Sequence, residues 1–415
     1  MLLVKNVSVE GRLTSIYVNG EGIVECMGCD VKDGEVVDVK GRLASVPFVN
    51  AHSHLGYALT LDYSKLNETG TLLEAVGLVR EEVIPKLSQS DVEERLSKIF
   101  KILFVNGVFK VRTHEPLLGD LVFKVLKSRD NPLVDVQVVA FPTPRFFYQD
   151  NEEKVRKALE EGAEVVGLIP HSERTAEEGY KSVKLAVDLA VEYNKLVDGH
   201  VDETDDPNSR FSEALASEAL RRGIGQRVTI SHMTASHSYD NWYFHKLLLL
   251  LKESGVSVVS NPVVSLHLQG RYDGYPKRRG IARIREMMRA GINVALGSDN
   301  VLDPIYPLGD FNMLRVLQEA YLVDHFTAVD LVKEGEELMK LITHNGYKAM
   351  SINPPKIMEG ERAEFVVLQS RSLLDSIRVP LPPFLVVRGR NYAVNDVSLK
   401  LNGEEVGDEV LNLWR

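Results

Sequence analysis

The 415-residue sequence predicts an α/β protein: a (β/α)8 TIM barrel over residues 47–350, with a small β-sandwich domain composed of residues 1–46 and 351–415. Three observations carry that expectation. Apolar runs recur through the middle of the chain, each ending near polar or acidic residues. The segments between them repeat apolar residues three and four apart, the spacing of a helix with one buried face. The two ends of the chain differ from this middle, holding short strand-like runs broken by Gly and Asp.

At the N-terminus the strand-like runs are LLVKNVSVEG, SIYVNGEGIVE and KDGEVVDVKG; at the C-terminus they are ERAEFVVLQS and PFLVVRGRNYAVNDVSLKLNGEEV. Either end alone is small for an independent core, so the two are expected to form one domain. Its CMGC stretch, Cys26 and Cys29, has the spacing of a redox pair or half a zinc knuckle. No second CxxC and no βαβ unit accompanies it, and small turn or buried residues are the expectation there.

Eight runs follow in the barrel region: VPFVNAHSH (46–54), VFKVRTH (108–114), DVQVVAF (135–141), EVVGLIP (164–170), LVDGH (196–200), RVTISH (227–232), VSVVSN (256–261) and INVALGSD (292–299). Helix-compatible segments alternate with them, among them DVEERLSKIFKILFVNG, NEEKVRKALEEG, YKSVKLAVDLAVEYN, SRFSEALASEALRRG and RRGIARIREMMRAG. Continuous apolar strands alternating with helices mean a parallel sheet covered by helices. Eight such units suit a closed barrel. An open doubly wound sheet is the rival, but no glycine-rich phosphate loop follows the first strand.

With 44% hydrophobic residues the chain can bury one large core and a second, smaller one. A formal net charge of -10 gives no support to a nucleic-acid partner, and the basic KRRG at 277–280 is short. No apolar run reaches the roughly 18 residues of a membrane span. MLLVKNVSVEGR lacks the apolar core and cleavage site of a secretory signal, so a cytoplasmic location is expected.

In a barrel the C-terminal strand ends converge on one face. Here they carry His52 and His54, then His114, His200, His232 and Asp299. His52 and His54, two apart, project from the same side of an extended chain. Alone, such a pair is equally well one buried and one surface histidine. With His200 and Asp299 it makes a three-nitrogen, one-oxygen shell suited to one divalent ion, Zn²⁺ or Fe²⁺.

Glu203 lies one short turn past His200, near enough to take a proton from a water that the ion acidifies. The bland alternative joins it to Asp205, Asp206 and Pro207 in a solvated helix start. Asp202 is open between a supporting and a surface position. His232 is expected as a non-ligand, because four ligands leave a place for water. His114 either supports a ligand or makes a fold contact, and His237 and His245 are assigned to loop and helix. No lysine ends the fourth strand, where Ile169 and Pro170 stand, so no bridging carboxylated lysine and only one ion are expected.

FVNAHSHL, GHVDETDDPNSRF, ISHMTASHSYDNWYFHKL and the long run from NPVVSLHLQGRYDGYPKRRG to GSDNVLDPIYPLG resemble the cytosine deaminase branch of the amidohydrolase superfamily. The resemblance runs over nearly the whole chain. It implies a metal-dependent barrel flanked by a β-sandwich, homo-oligomeric assembly, and hydrolysis of an amidine-type C–NH₂ on a small heterocycle with release of ammonia. Its metal ligands fall on His52, His54, His200 and Asp299, its proton-shuttling glutamate on Glu203, and its water-orienting histidine on His232. Asp299 would also assist proton passage to the departing amine.

The pattern departs where substrate is held. Thr143, in AFPTPRFF, replaces the family's substrate-recognition glutamine; Asn300 replaces a second acid, and Ile305 a pocket tryptophan. Arg145 and Gln269 are candidate replacements for binding polar substrate atoms. A site that loses a polar partner discriminates differently from one that loses a methylene, so the preferred ring is expected to change while the chemistry persists. The alternative is another amidohydrolase reaction: removal of a substituted amine from a triazine-like ring, creatinine-type hydrolysis, or opening of a cyclic amide. A non-catalytic binding protein would require loss of a ligand or of Glu203, and none is missing.

Overall fold

The structure, a computed structural model, describes residues 1–29 and 33–414. Strands β1 (Leu2–Val9), β2 (Arg12–Val18), β3 (Val24–Met27) and β4 (Glu35–Asp38) form one sheet in the order β3-β2-β1-β4. The short β5 (Ala44–Ser45) leaves them and pairs antiparallel with the C-terminal end of the chain.

Eight parallel strands follow: β6 (Phe48–Ser53), β7 (Val108–Pro116), β8 (Asp135–Phe141), β9 (Val165–Leu168), β10 (Leu196–Val201), β11 (Val228–His232), β12 (Ser257–Ser260) and β13 (Asn293–Leu296). They neighbour one another in sequence order. A parallel bridge between Ser53 and Asp299 joins the last strand's end to the first. Each strand coincides with one of the eight apolar runs; four are buried along their whole length and the other four over most of theirs, as a sheet covered on both faces requires. The helices Gln89–Val105, Asn151–Glu160, Ala176–Glu192 and Phe211–Arg222 fall where the apolar spacing predicts them. The expected helix over 278–291 shrinks to Ile284–Arg289, because Arg278 and Arg279 are spent on loop contacts to Asp273 and the Val323 carbonyl.

The C-terminal strands β14 (Glu364–Val367), β15 (Leu385–Arg388) and β16 (Asn391–Val394) complete a second sheet in the order β16-β15-β14-β5. Because side chains alternate across a strand, β14 and β15 have two different faces. Phe365, Val367, Leu385 and Val387 pack against Leu2, Val4, Ile16 and Val18 in a sandwich core of their own. Val366 and Val386 belong to the large core shared with the barrel. Cys26 and Cys29 are half-buried in this region and joined to each other in a disulfide, which leaves neither thiol free for a metal.

A third, small core floors the barrel: Val49, Ala51, Val259 and Ala295 pack on Tyr347, Ala349 and Met350. Above it lies Arg112, fully buried. Its guanidinium donates to Asp198 Oδ2 at 2.6 Å, Thr229 Oγ1 at 3.0 Å, Gln137 Oε1 at 2.7 Å and the Ala349 carbonyl at 2.9 Å. A buried charge left unpaired is costly, and here every donor group is answered.

Candidate metal centre and active-site cavity

Three departures from regular strand geometry aim side chains at one point. The β6–β7 register shifts between Asn50 and Ser53, so His52 and His54 turn into the barrel; bulges commonly re-aim a side chain in this way. On β11 the alternation that points Thr229 and Ser231 inward would point His232 out. Its φ of 72° reverses this, a left-handed conformation that costs a non-glycine residue about 1–3 kcal/mol. Asp299, three residues past β13, has a φ of 59° and donates its backbone N–H to the His52 carbonyl at 2.9 Å. His200 needs no such device, since it shares the inward face of β10 with Asp198, two residues earlier.

The polar atoms then crowd. His54 Nδ1 lies 2.8 Å from the His114 carbonyl, which directs Nε2 at the centre. There it stands 3.2 Å from His200 Nε2 and 3.3 Å from Asp299 Oδ1, while His52 Nε2 is 3.7 Å from the same oxygen. Ligand atoms around a tetrahedral zinc with nitrogen bonds near 2.05 Å sit about 3.4 Å apart. All four residues are buried, yet neither nitrogen of His52, nor Asp299 Oδ1, has a hydrogen-bond partner. Each such orphan costs about 1–3 kcal/mol. One divalent cation would satisfy Asp299 Oδ1 and one nitrogen of His52 together, so the residues present fit the ion.

The electrostatics agree. Burial, then the neighbouring imidazoles, hold His52 and His200 well below the usual histidine range, in the neutral form a metal needs. Burial acts the same way on His54, but its contact with Asp299 outweighs it and leaves that ring raised; a cation between the two would take the place of the proton. Burial pushes Glu203 well above the ordinary carboxyl value, and the Asp299 charge pushes it further. His232, held down to about 3 by burial, is neutral. Its Nδ1 is 3.4 Å from Glu203 Oε1 and 3.9 Å from Asp299 Oδ2.

The centre opens into a cavity of about 630 Å³, whose walls include His54, His200, Glu203 and Asp299. Thr143, Arg145, Gln269, Asn300 and Ile305 line the same cavity. His52 and His232 stand behind the wall. So does His114, whose ring packs on His52 with centroids 4.0 Å apart and lies 3.6 Å from Asp198. It supports the cluster through that ring and its carbonyl.

Two further cavity residues carry no expectation from the sequence. His171 directly follows the fourth run, so the strand-end pattern covers it; burial lowers it to about 4. Tyr57 stacks beside His54 at 5.2 Å, and nothing in its sequence context marks it. The outer wall comes from the helix Leu72–Leu78 and the turn of π-helix after it, Val79–Val83, which no apolar run announces.

The stretch after Glu203 corrects one expectation. Asp205, Asp206 and Pro207 form a turn, and the helix begins only at Phe211. Asp202, fully buried, serves that helix start: it accepts from Ser209 Oγ, the Phe211 and Ser212 N–H groups and Tyr239 Oη. This fixes Asp202 as support, not surface. Asp205 accepts from the Gly270 N–H at 2.8 Å and so ties down the loop that carries Gln269. In KRRG, Arg278 is likewise consumed by Asp273 and Ser238.

Known proteins share this architecture. The amidohydrolase family profile matches residues 132–382. The structure of 5-methylcytosine deaminase from Klebsiella pneumoniae, liganded with 5-fluorocytosine, superposes with a TM-score of 0.88 at 35% identity, covering 96% of this chain and 99% of that one. N-isopropylammelide isopropyl amidohydrolase of Pseudomonas sp. (strain ADP) is 27% identical over 379 residues, covering 88% of this chain and 87% of its own length. Pterin deaminase of Rhizobium rhizogenes is 26% identical over 331 residues, covering 77% and 72%. The match spans the later barrel strands, where three of the converging side chains arise, and it takes in more than half the molecule. This chain belongs to the amidohydrolase family and is a metal-dependent hydrolase of C–N bonds.

Proposed function

We propose that the enzyme deaminates a small nitrogen heterocycle of the cytosine type, with 5-methylcytosine the first candidate, replacing the ring amine by a carbonyl and releasing ammonia. The observation that carries this reading is the 35% identity, over nearly the full length of both chains, with a 5-methylcytosine deaminase. In this reading His52, His54, His200 and Asp299 hold one divalent ion, zinc or ferrous iron. When bound, the ion supplies the Lewis acidity that brings the pKa of a water toward neutrality.

The protein's own groups do the rest. Glu203 takes the water's proton and delivers it to a ring nitrogen; its raised affinity for protons suits a carboxyl that must both accept and give. Neutral His232 donates an N–H toward the oxygen that gains charge as the amine-bearing carbon becomes tetrahedral. Asp299 passes a proton to the departing amine. Thr143, Arg145, Gln269, Asn300 and Ile305 border the ring. A cytoplasmic homo-oligomer completes the picture.

Protein reconstituted with zinc or iron is expected to release ammonia from 5-methylcytosine or cytosine faster than from isoguanine, creatinine or aminotriazines. The second reading, removal of a substituted amine from a triazine-like ring, draws support from the N-isopropylammelide relative. Release of an alkylamine without ammonia, or a ring-opened acid, would establish a different amidohydrolase reaction and overturn the first.

A further inference from the structure

Beside the metal ligand Asp299 the cavity wall carries an amide whose orientation is dictated from behind. Asn300 is 3% exposed and lines the cavity. Its Nδ2 donates to Asp303 Oδ2 at 2.8 Å and lies 3.5 Å from Tyr57 Oη. Asp303 is fully buried and cannot turn away, because its other oxygen accepts the N–H groups of Ile305 at 2.8 Å and Tyr306 at 3.0 Å. An ionised carboxylate only accepts hydrogen bonds, so it must face the amide nitrogen and never the amide oxygen. Burial lifts Asp303 to about 6, which leaves it ionised at neutral pH. Among the described residues no donor reaches Asn300 Oδ1.

We infer that Asp303 is a positioning residue that locks Asn300 with its amide oxygen toward the substrate, making position 300 an obligatory acceptor for the N–H hydrogens of a primary ring amine. The inference rests on the deaminase reading above and narrows its substrate class. The favoured substrate presents a free –NH₂ beside the attacked carbon, and an alkylated amine loses part of this contact. A neutral amide thereby does the accepting work of a carboxylate without a second negative charge next to Asp299. A carboxylate at position 300 would instead stand within hydrogen-bond distance of buried Asp303, two like charges in one apolar pocket.

The test compares 5-methylcytosine with its N4-methyl form on zinc-loaded protein. Ammonia and methylamine release are read as kcat and KM, and dissociation constants are read by titration of the Glu203→Gln protein. Asp303→Asn frees the amide to flip, and the preference for the primary amine is expected to fall about ten-fold, mainly through KM and Kd. The exchange Asn300→Asp with Asp303→Asn restores an acceptor held by a donor, and is expected to recover the preference. Loss of activity on both substrates in equal proportion, with a lowered Tm and no recovery in the exchange, makes Asp303 a structural residue only and overturns the inference. If wild-type protein ignores 5-methylcytosine but releases ammonia from an aminotriazine, the ring assignment falls. The same comparison, run on the aminotriazine and its N-methyl form, then decides the role of Asp303. Binding of neither ring overturns both.

Discussion

At the scale of single residues, the proposed mechanism separates the groups that would hold the ion from one that would move protons. Glu203 is the proposed mover. It is buried, touches His232, and shares none of the short contacts that join His52, His54, His200 and Asp299. Replacing its carboxyl by an amide keeps the shape and removes the proton, so Glu203→Gln is expected to bind zinc as wild type does while kcat falls at least ~10²–10⁴-fold. Metal content by elemental analysis, set beside turnover, checks this; full turnover with bound zinc would remove Glu203 from the mechanism. The ligand candidates were legible in the sequence because each ends a strand, and a barrel gathers strand ends. Tyr57 and Asp303 were not, since both act from loops whose path depends on packing, not on any periodic pattern. His171 stood in plain sight one residue beyond a predicted strand, where only a lysine had a known use.

The elements succeed or fail at their ends. Interior strand positions follow from apolar runs, and all eight were readable; what could not be read is the bulge in β6 and the left-handed residues that finish β11 and follow β13. Those irregularities depend on how β6 and β13 meet. The seam there is tight: a Cβ added at Gly297 would stand 2.5 Å from Asn261 Oδ1, 2.6 Å from His52 Cβ and 2.7 Å from the His52 carbonyl. None of these contacts is open space, and two belong to His52, the first of the proposed ligands. Gly297→Ala is therefore expected to push His52 off its line and weaken zinc binding about 10–100-fold, the range seen when a ligand's support is disturbed. Chelator competition measures it. An unchanged affinity would show that β6 can slide to accommodate a methyl group and that the seam does not fix the centre. The mistaken helix start at Asp205–Pro207 has the same origin: acids and a proline mark a chain reversal, and only the buried Asp202 shows which turn begins the helix.

For the whole molecule, the question is whether the sandwich is an ornament or part of the machine. The sequence could suggest that the two termini meet, because neither end has enough apolar residues for a core alone. It could not show how they attach, since attachment is a matter of which face of one strand looks where. Strand β14 divides its side chains between two cores, with Phe365 in the sandwich and Val366 against the barrel. β5, reached just before β6 and its His52, pairs with that same strand. Strain or loosening in the sandwich thus has a direct covalent and packed path to the first barrel strand and the metal centre. A protein coupled in this way should unfold as one unit. Phe365→Ala, a change confined to the sandwich and worth about 3–5 kcal/mol in a filled core, is expected to lower a single calorimetric transition. Zinc should be released, as followed by a chromogenic chelator, at that same lowered temperature. Two resolved transitions, with zinc retained through the first, would mean that the sandwich melts alone and that the barrel holds its ion without it.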